Sequence, residues 1–115
     1  MRKPLIYVAG PYRKPCPVVN THKAIRTAQR IRDELQVAVL IPHLSFAEDM
    51  VQPREPEYWL AVTMDQLRCC DAVFRIAGGS EGSDAEEAEA IMLGIPVFRD
   101  VSALAEWCAE WKGKQ

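Results

Sequence analysis

Short apolar runs alternate with amphipathic stretches along most of the chain. Each run is apolar nearly throughout and short, as expected for strands that are buried on both faces of a sheet. We predict strands at residues 5–8, 37–41, 71–76 and 95–98. The other stretches repeat their apolar residues at helical spacing. We predict helices at about residues 18–35, 58–70, 84–93 and 101–111.

Strands that alternate with helices predict right-handed crossovers and a parallel sheet covered by helices on both faces. The chain has 115 residues, the length of one domain, and shows no internal repeat or linker. We therefore predict a single small α/β domain over residues 1–115, with a three-layer Rossmann-like or flavodoxin-like parallel sheet. Residues 46–56 form the longest irregular stretch, with room for one short helical turn.

Three turns follow the first three predicted strands, at residues 10–13, 42–45 and 78–83. Because the carboxyl ends of parallel strands lie at one edge of the sheet, these turns should converge there, where such folds bind ligands. The turns predict a binding site that is built from Gly10, Pro11, Arg13, His43, Ser80, Gly82 and Ser83.

The third turn leads into a helix whose first turn carries three acids, Asp84, Glu86 and Glu87. Ser83 is a favourable N-cap for this helix, and the helix dipole favours anions at that end. Two interpretations of Glu86 remain open. It completes an S-x-x-E capping box with Ser83, or it is an ionised catalytic carboxylate that faces the site.

Carboxylates, a tyrosine and amide-rich turns together suit glycosidic chemistry, in which a carboxylate attacks or stabilises an anomeric carbon. Asp65 is the candidate second carboxyl that helps a nucleobase leave; the alternative is an ordinary exposed helix acid. The Tyr12 hydroxyl is placed to hold Glu86 or the sugar; the alternative is a partly exposed loop aromatic.

The third turn also has the features of a phosphate site. Ser80, Gly82 and Ser83 offer hydroxyls and amides at a helix start, which is a favourable place for an anion. Arg13 and Lys14 of the first turn would add positive charge, or remain solvated loop cations. His43 is expected to line the pocket, and its position outside any nucleophile elbow argues against a serine hydrolase.

Composition excludes several other functions. The net charge is −2 with no basic stripe, so we expect no nucleic-acid polymer as partner. None of the four cysteines forms a C-x-x-C pair, which argues against zinc and fits reduced thiols in the cytoplasm. No apolar stretch approaches the roughly 20 residues of a membrane span. Dinucleotide and P-loop fingerprints are missing, which argues against NAD and nucleoside triphosphates.

Several short motifs occur in an order and spacing that point to a known family. They are YVAGPY at 7–12, Asn20 and Ala24 in the first helix, IPH at 41–43, CDAV at 70–73, and S-x-G-x-x-x-E from Ser80 to Glu86 with Ala90 one turn later. In this order and spacing the chain resembles the nucleoside 2-deoxyribosyltransferase superfamily, and most of all its small DUF4406-type domains. The resemblance covers about residues 5–98.

The resemblance implies roles for individual residues. The family nucleophile, a glutamate that attacks C1′ of the sugar, corresponds to Glu86, and the aromatic residue after Gly-Pro corresponds to Tyr12. The family aspartate that contacts the base corresponds only approximately to Asp65. Relatives that hydrolyse nucleoside 5′-monophosphates have a serine at the position of Ser80, where transferases for free nucleosides have an aspartate. No metal and no organic cofactor is implied.

The main functional hypothesis is cleavage of the N-glycosidic bond of a (deoxy)nucleoside 5′-monophosphate, with release or transfer of the nucleobase. A nucleoside 2-deoxyribosyltransferase, a non-catalytic nucleotide sensor and an interaction module with a vestigial pocket are the alternatives. Family members are dimers or larger, so we expect a homodimer or higher homo-oligomer. Trp59 and Trp111 are candidate exposed aromatic residues for such contacts; the alternative is that both are core residues.

Overall fold

The computed structural model describes residues 2–112, which form four strands and five α-helices. The strands are β1 (Leu5–Ala9), β2 (Ala38–Leu40), β3 (Ala72–Arg75) and β4 (Val97–Phe98). The helices are α1 (Pro17–Leu35), α2 (Ser45–Val51), α3 (Pro56–Leu67), α4 (Glu81–Met92) and α5 (Val101–Glu110), with a 3-10 turn at Pro42–Leu44. All strand pairs are parallel, in the order β2-β1-β3-β4. The predicted α/β class, with its parallel sheet, is confirmed.

The central strand β1 divides its side chains between two cores, because successive residues of a strand point to opposite faces. Ile6 and Val8 pack in the core that includes residues of α1 and α5. Tyr7 and Ala9 pack in the core that includes residues of α3 and α4. The phenol of Tyr7 is therefore fully buried on the α3 and α4 face of the sheet.

The chain changes direction across the sheet between β1 and β3. From β1 it passes to β2 on one side, and it later returns to β3 on the other side of β1. The loops after β1 and β3 thus lead to helices on opposite faces of the sheet, α1 and α4, and a crevice opens at this switch point. Two glycines permit the close approach of these two loops. A Cβ on Gly10 would lie 3.0 Å from Cβ of Ile76, and a Cβ on Gly78 would lie 2.8 Å from Cγ of Pro11.

Two local predictions need correction. The stretch expected to be mostly irregular contains the seven-residue helix α2. Helix α4 begins at Glu81, and its N-cap is Ser80 rather than Ser83. Ser80 has an extended backbone, and its Oγ accepts a hydrogen bond from the Ser83 amide at 3.2 Å. Both serines suit a cap, but the loop after β3 turns into the helix three residues earlier than expected.

Over residues 2–112, none of the helices combines the length and the apolar character that crossing a membrane requires. Across the same range, no three His, Cys, Asp or Glu side chains are grouped so that they could hold a metal ion.

Candidate functional site

A cavity of about 670 Å³ lies at the carboxyl ends of β1 and β3. It brings together the three turns that the sequence predicted to converge, and α3 closes one of its sides. All seven predicted binding residues line it, namely Gly10, Pro11, Arg13, His43, Ser80, Gly82 and Ser83. Tyr12, Lys14 and Glu86 line it as well, whereas Asp65 does not.

Glu86 is buried in the wall of this cavity and does not cap its helix. Because α4 begins at Glu81, Glu86 lies in the second turn of the helix. The residue is only 6% exposed. The amide that a capping box would require, that of Ser83, already donates to Ser80 Oγ. The capping interpretation of Glu86 is therefore wrong, and its carboxyl faces the sheet and the cavity.

Two hydroxyl groups lie beside the Glu86 carboxyl, and one of them binds it. The phenol of Tyr7 donates a hydrogen bond to Oε2 of Glu86. A buried tyrosine hydroxyl requires such a partner, because leaving it without one would cost its desolvation. Thr63 of α3 is also buried beside the same carboxyl, and its hydroxyl donates a hydrogen bond to the carbonyl oxygen of Leu60 at 3.2 Å. The sequence analysis assigned a role to neither group, because Tyr7 stands within an apolar strand and Thr63 within a helix.

Tyr12 does not contribute the hydroxyl that binds Glu86. Its ring lies edge-on to the rings of His43 and Phe46, with centroids 6.0 and 6.3 Å away. The guanidinium carbon of Arg13 lies 5.7 Å from the centre of the Tyr12 ring. Tyr12 is thus an aromatic wall of the cavity. The expectation that Tyr12 orients Glu86 is corrected, because the pleat of β1 directs Tyr7 toward that carboxyl.

Asp65 points away from the site. Its side chain is 78% exposed and forms an ion pair with Arg68 at 2.9 Å. Two residues along an α-helix are separated by about 200° around its axis, so Asp65 and Thr63 face opposite ways. The proposed role of Asp65 in helping a base leave is contradicted, and the α3 side chain beside Glu86 is the hydroxyl of Thr63.

The environment shifts the ionisation of both partners in the Tyr7–Glu86 pair. Burial raises the pKa of Glu86, while the hydrogen bond from Tyr7, the neighbouring Thr63 hydroxyl and the charge of Arg75 oppose that rise. Burial and the neighbouring Glu86 charge raise the pKa of Tyr7, so the phenol stays protonated as a donor. A carboxyl whose pKa is raised changes charge closer to neutral pH, as catalytic acids, bases and nucleophiles often do.

Arg75 binds the other two acids near the start of α4. Its side chain is 8% exposed on β3, and it donates to Asp84 at 3.0 Å and to Glu87 at 3.2 Å. Nη2 of Arg75 also donates to the carbonyl oxygen of Gly78 at 3.1 Å, which fixes the glycine turn. Glu87 binds Arg99 as well. Asp84 and Glu87 thus form ion pairs with arginines, whereas Glu86 lines the cavity.

Two buried polar side chains shape the loop after β1. Asn20 of α1 donates to the carbonyl oxygens of Tyr12 and Lys14 at 2.8 and 2.9 Å. Nε2 of His43 donates to the carbonyl oxygen of Pro11 at 3.0 Å. Burial lowers the pKa of His43, so its ring is neutral at physiological pH. His43 positions the cavity wall and is poorly placed to act as a general base.

The rim of the cavity carries charges of both signs. Arg13 and Lys14 line one part of it, and the exposed acids Glu57 and Glu81 line another. At the start of α4, the amides of Glu81 and Gly82 have no partner within the helix, as at any helix N-terminus. These amides and the two cations would attract an anionic ligand, whereas the two acids would repel it.

Trp59 belongs to the cavity rather than to the outer surface. It is buried, and its Nε1 donates to Oδ1 of Asp49 at 2.6 Å. Asp49 also accepts from the Arg54 amide at 2.9 Å, so this carboxylate ties α2 to α3. Of the two alternatives for Trp59, the structure thus supports the buried one, and Trp111 is partly exposed.

Comparison with known proteins shows what this fold is similar to. No protein-family model matches the chain, and no curated protein matches it at a significant level. Among solved structures, the chain is similar to the 2-deoxyribosyltransferase of the psychrotolerant bacterium Bacillus psychrosaccharolyticus, a biocatalyst for nucleoside synthesis. The TM-score is 0.57 at 16% sequence identity, and the match covers 94% of this chain and 92% of that enzyme. At this level of identity the two proteins share a fold, the one that the sequence motifs implied.

Proposed function

We propose that residues 1–115 are a nucleoside 2-deoxyribosyltransferase-like domain that cleaves the N-glycosidic bond of a (deoxy)nucleoside 5′-monophosphate. The observation that carries the proposal is the Glu86 carboxyl, which is buried in the wall of a 670 Å³ cavity and held there by the Tyr7 hydroxyl. Its fold is shared with an enzyme of nucleoside chemistry, which supports the same class of substrate.

In this reaction Glu86 acts as the nucleophile. One carboxylate oxygen stays bonded to Tyr7, and this bond keeps the other oxygen aimed at C1′ of a bound sugar. As the bond between C1′ and the base nitrogen breaks, a bond from the carboxylate to C1′ forms, or the carboxylate stabilises the positive charge that develops there. Water that intercepts C1′ completes hydrolysis, and a second base that intercepts it completes transfer.

A 5′-phosphate would bind at the start of α4. The amides of Glu81 and Gly82 and the hydroxyl hydrogen of Ser80 are donors for phosphate oxygens, and Arg13 and Lys14 supply charge across the cavity. The exposed carboxylate of Glu81 would oppose a dianion. We therefore expect the preference for the monophosphate over the free nucleoside to be modest.

We also propose that the domain works in the cytoplasm as a homodimer or higher homo-oligomer. The described cysteines are all free thiols, which fits a reducing compartment. Helix α2 and the residues around it carry exposed apolar side chains. These are Leu44, Met50, Val51 and Tyr58. Light scattering on the purified protein tests the assembly, and a monomeric mass at micromolar concentration would contradict it.

The deciding experiment is a chromatographic screen of nucleosides and their 5′-monophosphates for released base. We expect release by the wild type and loss of release in Glu86→Gln, which keeps the shape of the side chain. Circular dichroism and the thermal midpoint show whether that variant is folded. No release by the wild type, with nucleotide binding that persists in Glu86→Gln, would instead identify a nucleotide-binding sensor, because a ligand of the native state raises its thermal midpoint.

A further inference from the structure

The acids of the cavity are unevenly placed. Over the described residues 2–112, three acids line it, and of these Glu86 is buried while Glu57 and Glu81 are exposed at the rim. Glycosidases that act on neutral leaving groups place two carboxyls on opposite sides of the scissile bond. Here the position on α3 that faces Glu86 holds a hydroxyl group, that of Thr63.

The proton donors near Glu86 are already engaged. The hydroxyl of Tyr7 donates to Glu86 itself, and the Nε2 proton of His43 is donated to a backbone carbonyl. The Arg75 guanidinium donates to a loop carbonyl and to two carboxylates of α4. Thr63 contributes an alcohol, which is too weak an acid to protonate a departing base. Among residues 2–112 of one chain, the buried part of the site thus offers a nucleophile without a matching general acid.

A neutral nucleobase leaves as an anion unless a proton reaches it, and a positioned general acid contributes about 10²–10⁴-fold to such a step. A base that already carries a positive charge leaves as a neutral molecule and needs no proton. We propose that this site acts on N-glycosides whose leaving base is an aromatic cation, such as a pyridinium or an N7-alkylated purine. The proposal rests on the function proposed above and names its substrate class.

The aromatic part of the cavity suits such a ring. Trp59 lines the cavity, and aromatic faces attract cations through their quadrupoles, whereas the Tyr12 ring already has Arg13 over it. The indole of Trp59 donates to the Asp49 carboxylate, which places a further negative charge at the edge of the indole ring. Glu57 lies on the same helix, at the cavity rim.

The step balances without an added acid. The bond between C1′ and the ring nitrogen breaks, and its electron pair neutralises the cationic ring. The Glu86 carboxylate bonds to C1′ in its place. Water then attacks C1′ and displaces the carboxylate, and the proton that the water loses passes to solvent. One proton is released for each pyridinium glycoside hydrolysed, which a pH indicator can count.

The test compares substrates that differ by one methyl group. Purified protein is given 7-methylguanosine or guanosine, and their 5′-monophosphates, at mildly acidic pH where the methylated base stays cationic. Release in Glu86→Gln is subtracted, which removes spontaneous depurination. We expect kcat/KM to be at least about 100-fold higher for the methylated member of each pair, the scale of one general acid. Nicotinamide mononucleotide should be cleaved with release of one proton.

Two outcomes would overturn the proposal, and they are distinguishable. Similar kcat/KM values for guanosine and 7-methylguanosine would refute the substrate class and leave the proposed glycosidase intact. Release from neither kind of substrate would refute the glycosidase, and the substrate class with it.

A second variant pair tests the reason for the preference. Thr63→Asp places a carboxyl beside Glu86, and Thr63→Asn places a group of the same shape that cannot donate a proton as an acid. We expect Thr63→Asp to raise release from guanosine at least about 10-fold relative to Thr63→Asn, which narrows the gap to 7-methylguanosine. Equal release from guanosine in the two folded variants would contradict the explanation by a missing acid.

Discussion

The hydroxyl of Tyr7 on the central strand β1 donates to the carboxyl of Glu86 on α4, across 79 residues of sequence. Both residues are buried, and the bond forms only when α4 packs against the Tyr7 face of the sheet. The position of the proposed nucleophile is therefore fixed by core packing rather than by a flexible loop. Functional groups on rigid elements are held more accurately than groups on loops.

Removing the Tyr7 hydroxyl should shift the ionisation of Glu86. In Tyr7→Phe the carboxyl loses a hydrogen bond that lowers its pKa, so the pKa should rise further. The acidic limb of the pH–rate profile should move to higher pH, and kcat should fall. The protein should lose about 1–2 kcal/mol of stability, as expected for a buried hydrogen bond.

Tyr12→Phe is the matched comparison for Tyr7→Phe. Because the Tyr12 ring packs on His43 and Phe46, its loss of a hydroxyl should leave the acidic limb where the wild type has it. Kinetics over a range of pH measure both variants. A limb that moves in Tyr12→Phe and not in Tyr7→Phe would restore the assignment that the sequence suggested.

Glu86 should make the folded protein less stable as pH rises. Its pKa is higher in the folded chain than in the unfolded chain, because burial disfavours the charged form. The stabilising contribution of its proton is complete below the unfolded pKa of a glutamate, about 4.3, and is lost as pH rises through the folded pKa. Glu86→Gln removes this titration.

The difference in unfolding free energy between Glu86→Gln and wild type should therefore grow in favour of the variant as pH rises across that window. Above the folded pKa it should stay constant. Urea unfolding at a series of pH values measures the difference. A difference that grows in favour of wild type would mean that the carboxylate form is the one that folding stabilises.

The sequence predicted the elements well because their periods are local. The apolar runs and the helical spacing depend on which face is buried, and that holds along each element. Glu86 lines the cavity after the strand–turn–helix, because the glycines at 78 and 79 and the acids at 84–87 are adjacent in the chain, although it lies in the second turn of α4 rather than the first.

The partners of Glu86 could not be predicted in this way, because each depends on a contact between distant elements. Tyr7 rather than Tyr12 reaches Glu86 because of the face that β1 presents to α4. Thr63 rather than Asp65 lies beside Glu86 because of the face that α3 turns toward the cavity. A tyrosine within an otherwise apolar strand was the signal available, since its buried hydroxyl must find a partner.

The two serines at the start of α4 should differ in their contribution to stability. Ser80→Ala removes the N-cap that binds the Ser83 amide, and we expect a loss of about 1 kcal/mol. Within the described residues, Oγ of Ser83 is buried without a hydrogen-bond partner, so Ser83→Ala should be neutral or stabilising. Urea denaturation of both variants tests this order, and a larger loss in Ser83→Ala would place the cap at Ser83.

Arg75 should act on Glu86 through both its charge and its fork of hydrogen bonds, and two variants separate these contributions. Arg75→Met removes the positive charge that lowers the pKa of Glu86, so the acidic limb of the pH–rate profile should move to higher pH. It also removes the donors that hold Gly78 and α4, so KM should increase. Arg75→Lys keeps the charge but not the planar fork, so KM should increase while the limb stays near that of wild type. Without Arg75, Asp84 is still solvated and Glu87 still binds Arg99, so we expect both variants to fold. The free energy of unfolding should fall by about 1–3 kcal/mol. Stopped assays across pH give both parameters, and a limb that shifts equally in the two variants would show that Arg75 acts on Glu86 through geometry alone.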